Sequence, residues 1–202
     1  MPTGTIDFWF TMGSTYTCLS VARYEALAAA AGVKVRLRPF KGVPALTGIT
    51  ALPFLPGTNK IRYMWRDIER RAAAQGMKLR MPVAYPSPAP VRANRVALVG
   101  VREGWAAAYL GAAYRLWFGE GLGNGGEENL RAALAEAGQA GEVDRILALA
   151  ESDEVIAALD AETDTARALG LFGSPSFVVD GEVFWGDDHL EDAIAWARYG
   201  KL

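Results

Sequence analysis

Residues 5–11 read TIDFWFT, a run of β-branched and aromatic side chains that suits a strand buried inside a sheet. A strand of that kind needs partners beside it and layers over it, and the flanking segments supply them. Residues 15–31 carry helical spacing, with Leu19, Ala22, Ala26, Ala29 and Ala30 at the apolar positions and Gly32 to close the helix. Residues 33–40, VKVRLRPF, alternate apolar and basic side chains, which predicts a strand with one wet face that stops at Pro39. A β-α-β start favours two parallel strands joined by a right-handed crossover.

The texture then changes. Residues 41–59 hold three prolines and three glycines and read as mostly loop. Helical segments follow at 59–75, 91–104, 105–119, 127–137, 142–150 and 153–169, interrupted by MPVAYPSPAPV with its four prolines. The end of the chain returns to strands. Residues 174–180 and 182–186 read as a hairpin around an Asp-Gly turn, and 187–200 as a final amphipathic helix with Leu190, Ala193, Ile194 and Ala197 on its apolar stripe. The order β-α-β, helices, β-β-α predicts an α/β protein: a thioredoxin-like domain from residues 1–40 and 170–202, with a large all-helical domain inserted at 41–169.

Composition narrows the chemistry. The 202 residues are 51% hydrophobic and 22% charged, with a formal net charge of −2, so no basic surface for nucleic acid or anionic membrane is expected. No apolar run is long enough for a membrane span. The opening MPTGTIDFWF lacks the basic start of a secretory leader, so the expected location is cytoplasmic, or an organelle matrix after trimming. Cys18 is the only cysteine and His189 the only histidine. An intrachain disulfide or a dithiol redox cycle is therefore impossible within this chain, and a metal site of several His or Cys ligands cannot be built. A Ser-His-Asp hydrolase would need His189 as its base, and no G-x-S-x-G elbow is present.

In a thioredoxin-like layout the first strand delivers its loop to a helix N-terminus, where redox proteins carry Cys-x-x-Cys. Here Ser14-Thr15-Tyr16-Thr17 stands there, with hydroxyls at both cysteine positions. A hydroxyl cannot exchange disulfides, but it can cap the helix, and it can hydrogen-bond a thiolate that a ligand brings in. Ser174-Pro175 opens a strand, where a proline fits a cis bond that leaves the Ser174 backbone open to a peptide-like ligand, or a plain trans strand start. Asp187 and Asp188 begin the last helix, as dipole-matched caps or as acceptors for a ligand ammonium group. Arg62, Arg66 and Arg70 fall along one helix face and read as solvated, whereas Lys60, at the start of that helix, is placed to reach a ligand carboxylate. Cys18, one turn into the first helix, reads as a small buried apolar residue.

These segments together resemble the 2-hydroxychromene-2-carboxylate isomerases and the related kappa-class glutathione transferases, which are DsbA-like thioredoxin folds with a helical insertion. The resemblance spans nearly the whole chain. DFWFTMGSTYTCL is similar to the family's strand–loop–helix entry, with Ser14 on its serine. KIRYMWRD matches at Lys60, Tyr63 and Met64, and LFGSPSFVVDGEVFWGDDHL at Phe172, Gly173, Pro175, Gly186 and Asp188. The chain departs from the family at Thr15, where proline is usual, at Cys18, where an aromatic is usual, at Ile49, where an asparagine is expected, and at His189, where arginine is common.

The resemblance implies reduced glutathione as cofactor. Ser14 would hold its sulfur, Ser174 before Pro175 would pair through its backbone with the cysteinyl unit, Asp188 with Asp187 beside it would bind the γ-glutamyl amine, and Lys60 would bind a carboxylate. It implies isomerisation of an aromatic-degradation intermediate by thiolate addition, ring opening and elimination. A kappa-like transferase acting on electrophiles and a non-catalytic thiol or peptide binder are the alternatives. A homodimer fits the family habit.

Overall fold

In the computed structural model, which describes residues 4–51 and 53–202, the sheet is built around β1 (Thr5–Phe10). The first three residues, read above as leaderless, and position 52 of the proline-rich loop lie outside the described residues. Strand β1 runs parallel to β2 (Lys34–Pro39) and antiparallel to β3 (Ser176–Val179), and β3 pairs antiparallel with β4 (Glu182–Trp185). The strand order is β2-β1-β3-β4, so both ends of the chain are needed to complete one sheet. The hairpin expected at the C-terminal end is present, and its turn residue Asp180 takes the left-handed conformation such a tight turn requires.

The stretch expected as one helix over 15–31 is two, α1 (Thr17–Val21) and α2 (Tyr24–Ala31). The chain breaks at Arg23, φ −137°, whose guanidinium crosses to Asp187 and Glu191. That break resets the helical phase. Tyr24, Leu27 and Ala28 turn towards the core, while Ala22, Ala26, Ala29 and Ala30 face solvent. A ring and a leucine gain more from burial than alanines do, so they take the inner face. The loop over 41–59 also contains a short helix, α3 (Val43–Thr47), with Pro44 in its first turn.

Helices α4 (Asn59–Ala74), α5 (Pro90–Glu103), α6 (Ala106–Arg115), α7 (Glu127–Leu134), α8 (Val143–Ala150) and α9 (Asp153–Ala168) follow close to their expected positions. After α6 the chain continues as a single π-helical turn, Leu116–Glu120, and after α7 the segment Ala135–Gln139 is kinked at Gly138, φ 80°. The last helix begins as a 3₁₀ turn, Asp187–His189, and becomes α10 (Leu190–Tyr199).

Period-two alternation along β1 sends its side chains to two different layers. Ile6, Phe8 and Phe10 join Tyr24, Ala28, Leu190 and Ile194 in a core that continues without a break into α4–α8. Trp9 points the other way, to Phe40, Leu46, Ala166, Leu171 and Val178. Ala166 belongs to α9, and Glu162 of the same helix pairs with Arg38 of β2. Helix α9, inside the segment assigned to the insertion, therefore covers one face of the sheet.

Phe8 is fully buried, with ring centroids of Phe177, Tyr24 and Phe10 at 4.9, 5.3 and 5.6 Å. Phe8→Ala is expected to cost about 3–5 kcal/mol, read as a lowered urea midpoint with an unchanged slope.

Candidate active site

Ser14 lies in the loop that leaves β1. Its N–H closes a turn on Thr11 O at 3.0 Å, and its Oγ donates to Ser174 O at 2.8 Å. The same Oγ accepts from Thr17 N–H at a long 3.4 Å, so capping of α1 is a secondary task. Ser174 Oγ accepts from Thr11 N–H at 3.0 Å and shares a hydrogen with Thr17 Oγ1 at 2.9 Å. Ser14 and Thr17, the two cysteine-equivalent positions of the Ser-x-x-Thr entry, thus converge with Ser174 in one half-buried cluster of hydroxyls. The Ser174-Pro175 bond is cis. The Ser174 carbonyl, however, is engaged by the Ser14 hydroxyl, which lies within reach and satisfies it.

Three polar side chains that the sequence reading did not single out hold this loop from the helical insertion. Asn94 of α5 accepts from Met12 N–H at 2.7 Å and donates to Thr11 Oγ1 at 3.0 Å and to Lys41 O at 3.3 Å. Tyr114 of α6 donates to Thr11 O or Ser14 O, at 3.2 and 3.1 Å. Asn124 donates to Met12 O at 3.0 Å. All three are buried. Gly13 lies in the same loop because Pro90, at the start of α5, leaves no room: a Cβ there would come within 2.9 Å of the proline ring.

Helix α4 closes the other side. Thr15 Oγ1 donates to Met64 Sδ at 3.2 Å, and Tyr16 Oη donates to Asp67 at 3.2 Å. Burial works against the Asp67 carboxylate, but hydrogen bonds from Arg71 and Arg70 outweigh it and hold its pKa below the ordinary carboxylate range. Lys60 is exposed, with Nζ 5.2 Å from the Phe54 ring centroid, and Phe54 in turn lies beside Tyr16. Arg62, Arg66 and Arg70 are exposed, as their spacing predicts.

The two aspartates differ. Asp187 is buried, accepting from Ser20 Oγ at 2.8 Å and from Arg23 at 3.0 Å. Burial raises its pKa despite the cation beside it. Asp188 is exposed, and among the described residues no hydrogen bond or ion pair engages it. His189 is exposed on Asp192 at 2.8 Å, and Ser14 spends its hydrogen on a carbonyl, so no Ser-His pair forms. Cys18 is buried, and burial, with the nearby Asp187 charge, pushes its thiol up to about 12. Among the described residues no group of three or more His, Cys, Asp or Glu could hold a metal, and no helix is long and apolar enough to cross a membrane.

Asn94→Ala would leave the buried Met12 N–H without a partner. The expected result is a loss of about 1–3 kcal/mol in urea unfolding, with faster hydrogen exchange at the Met12 amide.

Known proteins share this architecture. The DSBA-like thioredoxin domain matches residues 5–194. A 2-hydroxychromene-2-carboxylate isomerase of Sphingobium xenophagum is 28% identical over 193 residues, covering 94% of this chain and 95% of its own length. Among solved structures, a selenomethionine 2-hydroxychromene-2-carboxylate isomerase matches with a TM-score of 0.79 at 24% identity, over 93% of this chain and 91% of that one. The cytosolic disulfide reductase DsbM from Pseudomonas aeruginosa, solved with GSH, has a TM-score of 0.68 at 18% identity, covering 95% of this chain and 96% of that one. The two structural matches speak to the fold alone. With the match running from β1 into α10, the chain belongs to the DSBA-like thioredoxin domain family.

Proposed function

We propose that the protein is a cytoplasmic, glutathione-dependent isomerase acting on a conjugated aromatic-degradation intermediate of the 2-hydroxychromene-2-carboxylate kind. The observation that carries this reading is the hydroxyl cluster at the loop–helix entry, where Ser14 Oγ donates to Ser174 O and no thiol is present. A site with hydroxyls in both cysteine-equivalent positions has no electrons to exchange, but it suits a thiolate owned by something else. The Sphingobium relative supports isomerisation as the activity.

The donor set fits reduced glutathione. Ser14 is half-buried and offers an O–H, Asp188 is an exposed carboxylate, and Lys60 is exposed with its Nζ over the Phe54 ring. Bound there, glutathione would supply a nucleophilic thiolate for attack on a conjugated carbon. Ser14 turns its O–H from Ser174 O to the sulfur and favours the charged form. The Ser174 carbonyl, released, would accept from the cysteinyl N–H. Lys60 would bind a carboxylate and Asp188 the γ-glutamyl ammonium. Asp187, already satisfied by Ser20 and Arg23, anchors the turn that presents Asp188.

The rim of the site is aromatic. Phe172 and Trp185 are about half exposed, at 50% and 51%, with ring centroids 4.9 Å apart. Phe172 lies two residues before Ser174, and Trp185 precedes Gly186, whose N–H bonds Pro175 O at 3.0 Å. Such a surface suits a flat, conjugated substrate.

Ser14→Ala removes a donor to the thiolate, so the bound thiol pKa should rise. Thiolate absorbance of the complex at neutral pH should fall, and the acid-side limb of the activity profile, where the thiolate is lost to protonation, should move to higher pH. An unchanged titration would return Ser14 to a capping role. In turnover, substrate should isomerise with glutathione recovered intact, whereas stoichiometric loss of glutathione would mark a transferase instead.

A further inference from the structure

Two hydroxyls of the site share one contact. Ser174 Oγ and Thr17 Oγ1 lie 2.9 Å apart, and either can be the donor. Each carries one hydrogen, and the contact uses one of the two. The other suits Ser174 better than Thr17. Thr17 is fully buried, where a stranded hydrogen loses its hydration, whereas Ser174 is half-buried at the mouth. With Thr17 as donor, Ser174 Oγ accepts twice, because Thr11 N–H also reaches it at 3.0 Å. A hydroxyl oxygen has two lone pairs, so both are filled. What Ser174 can then offer a ligand is its hydrogen and nothing else. A donor of that kind suits a thiolate, which only accepts.

Ser14 stands next to it. Both serine hydroxyls meet Thr17, Ser14 Oγ at its N–H and Ser174 Oγ at its Oγ1, and Ser14 Oγ also donates to the Ser174 carbonyl. The titratable groups packed round the pair are occupied. Tyr114 of α6 donates to Thr11 O or Ser14 O, and Cys18 of α1 is kept protonated by burial. Asp67 of α4 is taken by Tyr16 and two arginines, and Asp187 at the start of the last helix by Ser20 and Arg23. Stabilisation of a thiolate by this pair is thus a matter of hydrogen bonds. The opposite order, Ser174 donating to Thr17 and Thr17 to Tyr114, would spend the Ser174 hydrogen inside the protein. The two orders differ only by rotation of hydroxyl hydrogens, and an anion at the mouth favours the first, in which it gains a charge-assisted bond.

We propose that the side chain of Ser174 is a second catalytic hydroxyl, its O–H donating to the same ligand sulfur that Ser14 holds. This rests on the glutathione reading above, in which Ser174 acts through its backbone alone, and it gives the side chain a task of its own. Two oxygen donors on one thiolate lower its pKa further than one does, and neither can be oxidised by it.

Titration of thiolate absorbance in the glutathione complex of the full chain tests it, with calorimetry for reduced glutathione and for S-methylglutathione, a thioether that forms no thiolate. Ser174→Ala should raise the bound thiol pKa by about one unit and weaken reduced glutathione about tenfold at neutral pH, with S-methylglutathione bound as in the wild type. Ser174→Thr keeps a hydroxyl and should restore the wild-type titration. An unchanged titration in Ser174→Ala, or equal weakening of both ligands, overturns the second donor and leaves the glutathione reading standing. Ser174→Ala also strips Thr11 N–H of its partner, so a structure of the wild-type glutathione complex keeps the test open if that variant does not fold. The sulfur should lie within hydrogen-bonding reach of both Ser14 Oγ and Ser174 Oγ, and a sulfur on Ser14 alone overturns the proposal. Failure of the wild type to bind glutathione overturns both.

Discussion

Two hydrogen bonds between the loop after β1 and Ser174 join segments 160 or more residues apart: Thr11 N–H to Ser174 Oγ and Ser14 Oγ–H to Ser174 O. Neither half of this contact is satisfied by its own neighbours in sequence. The loop is buried at Thr11 and Met12, where an unpaired backbone group would cost about 1–3 kcal/mol. Its remaining polar groups are met by Asn94, Tyr114 and Asn124 from the middle of the chain. The loop therefore takes its shape only when the C-terminal hairpin has joined the sheet and the helical insertion has docked. The insertion is part of the site's scaffold, and this dependence accounts for a core that runs unbroken from Phe8 into α4–α8.

The strands were readable because their signals are local. TIDFWFT is a dense run of β-branched and aromatic residues, and the Asp-Gly pair suits a tight turn. The first helix was misread because what breaks it is tertiary. Nothing in SVARYEAL marks Arg23 as a hinge, since its partners Asp187 and Glu191 lie at the other end of the chain. The same holds at the site. Ser14, Ser174 and Asp188 stand next to strong backbone markers (a strand end, a proline, a glycine), and such positions draw attention. Asn94 sits inside VRANRVALVG, where one polar residue in a helix looks incidental. Its signal is a poor helix former on the apolar face, in step with Ala93, Val96 and Ala97, a position that Asn takes only when something buried needs both its donor and its acceptor.

Cys18 shows how environment decides chemistry. It lies one residue beyond Thr17 and four beyond Ser14, and a surface thiol at that distance from a helix start would be reactive. Burial and the Asp187 charge push it up to about 12 instead, so it packs as an apolar residue. The exposed mouth is left to oxygen. A hydroxyl is a better hydrogen-bond donor than a thiol and does not oxidise, so it can hold a thiolate through repeated cycles without forming a disulfide with it.

The Ser14–Ser174 bond then bears on selectivity. A neutral hydrogen bond of this kind contributes about 1 kcal/mol net, so exchanging it for one charge-assisted bond to sulfur is favourable. The exchange strips Ser174 O of its donor, and a part-buried carbonyl left bare costs about as much as the swap gains. Only a thiol that carries an N–H close by can cover that carbonyl at the same time. A simple alkyl thiol would leave it open, whereas a cysteinyl peptide closes it with its own backbone. Under the proposed glutathione reading, the pairing of a serine hydroxyl with the carbonyl beside Pro175 would therefore favour a thiol in a peptide setting before any contact with the rest of the ligand is counted.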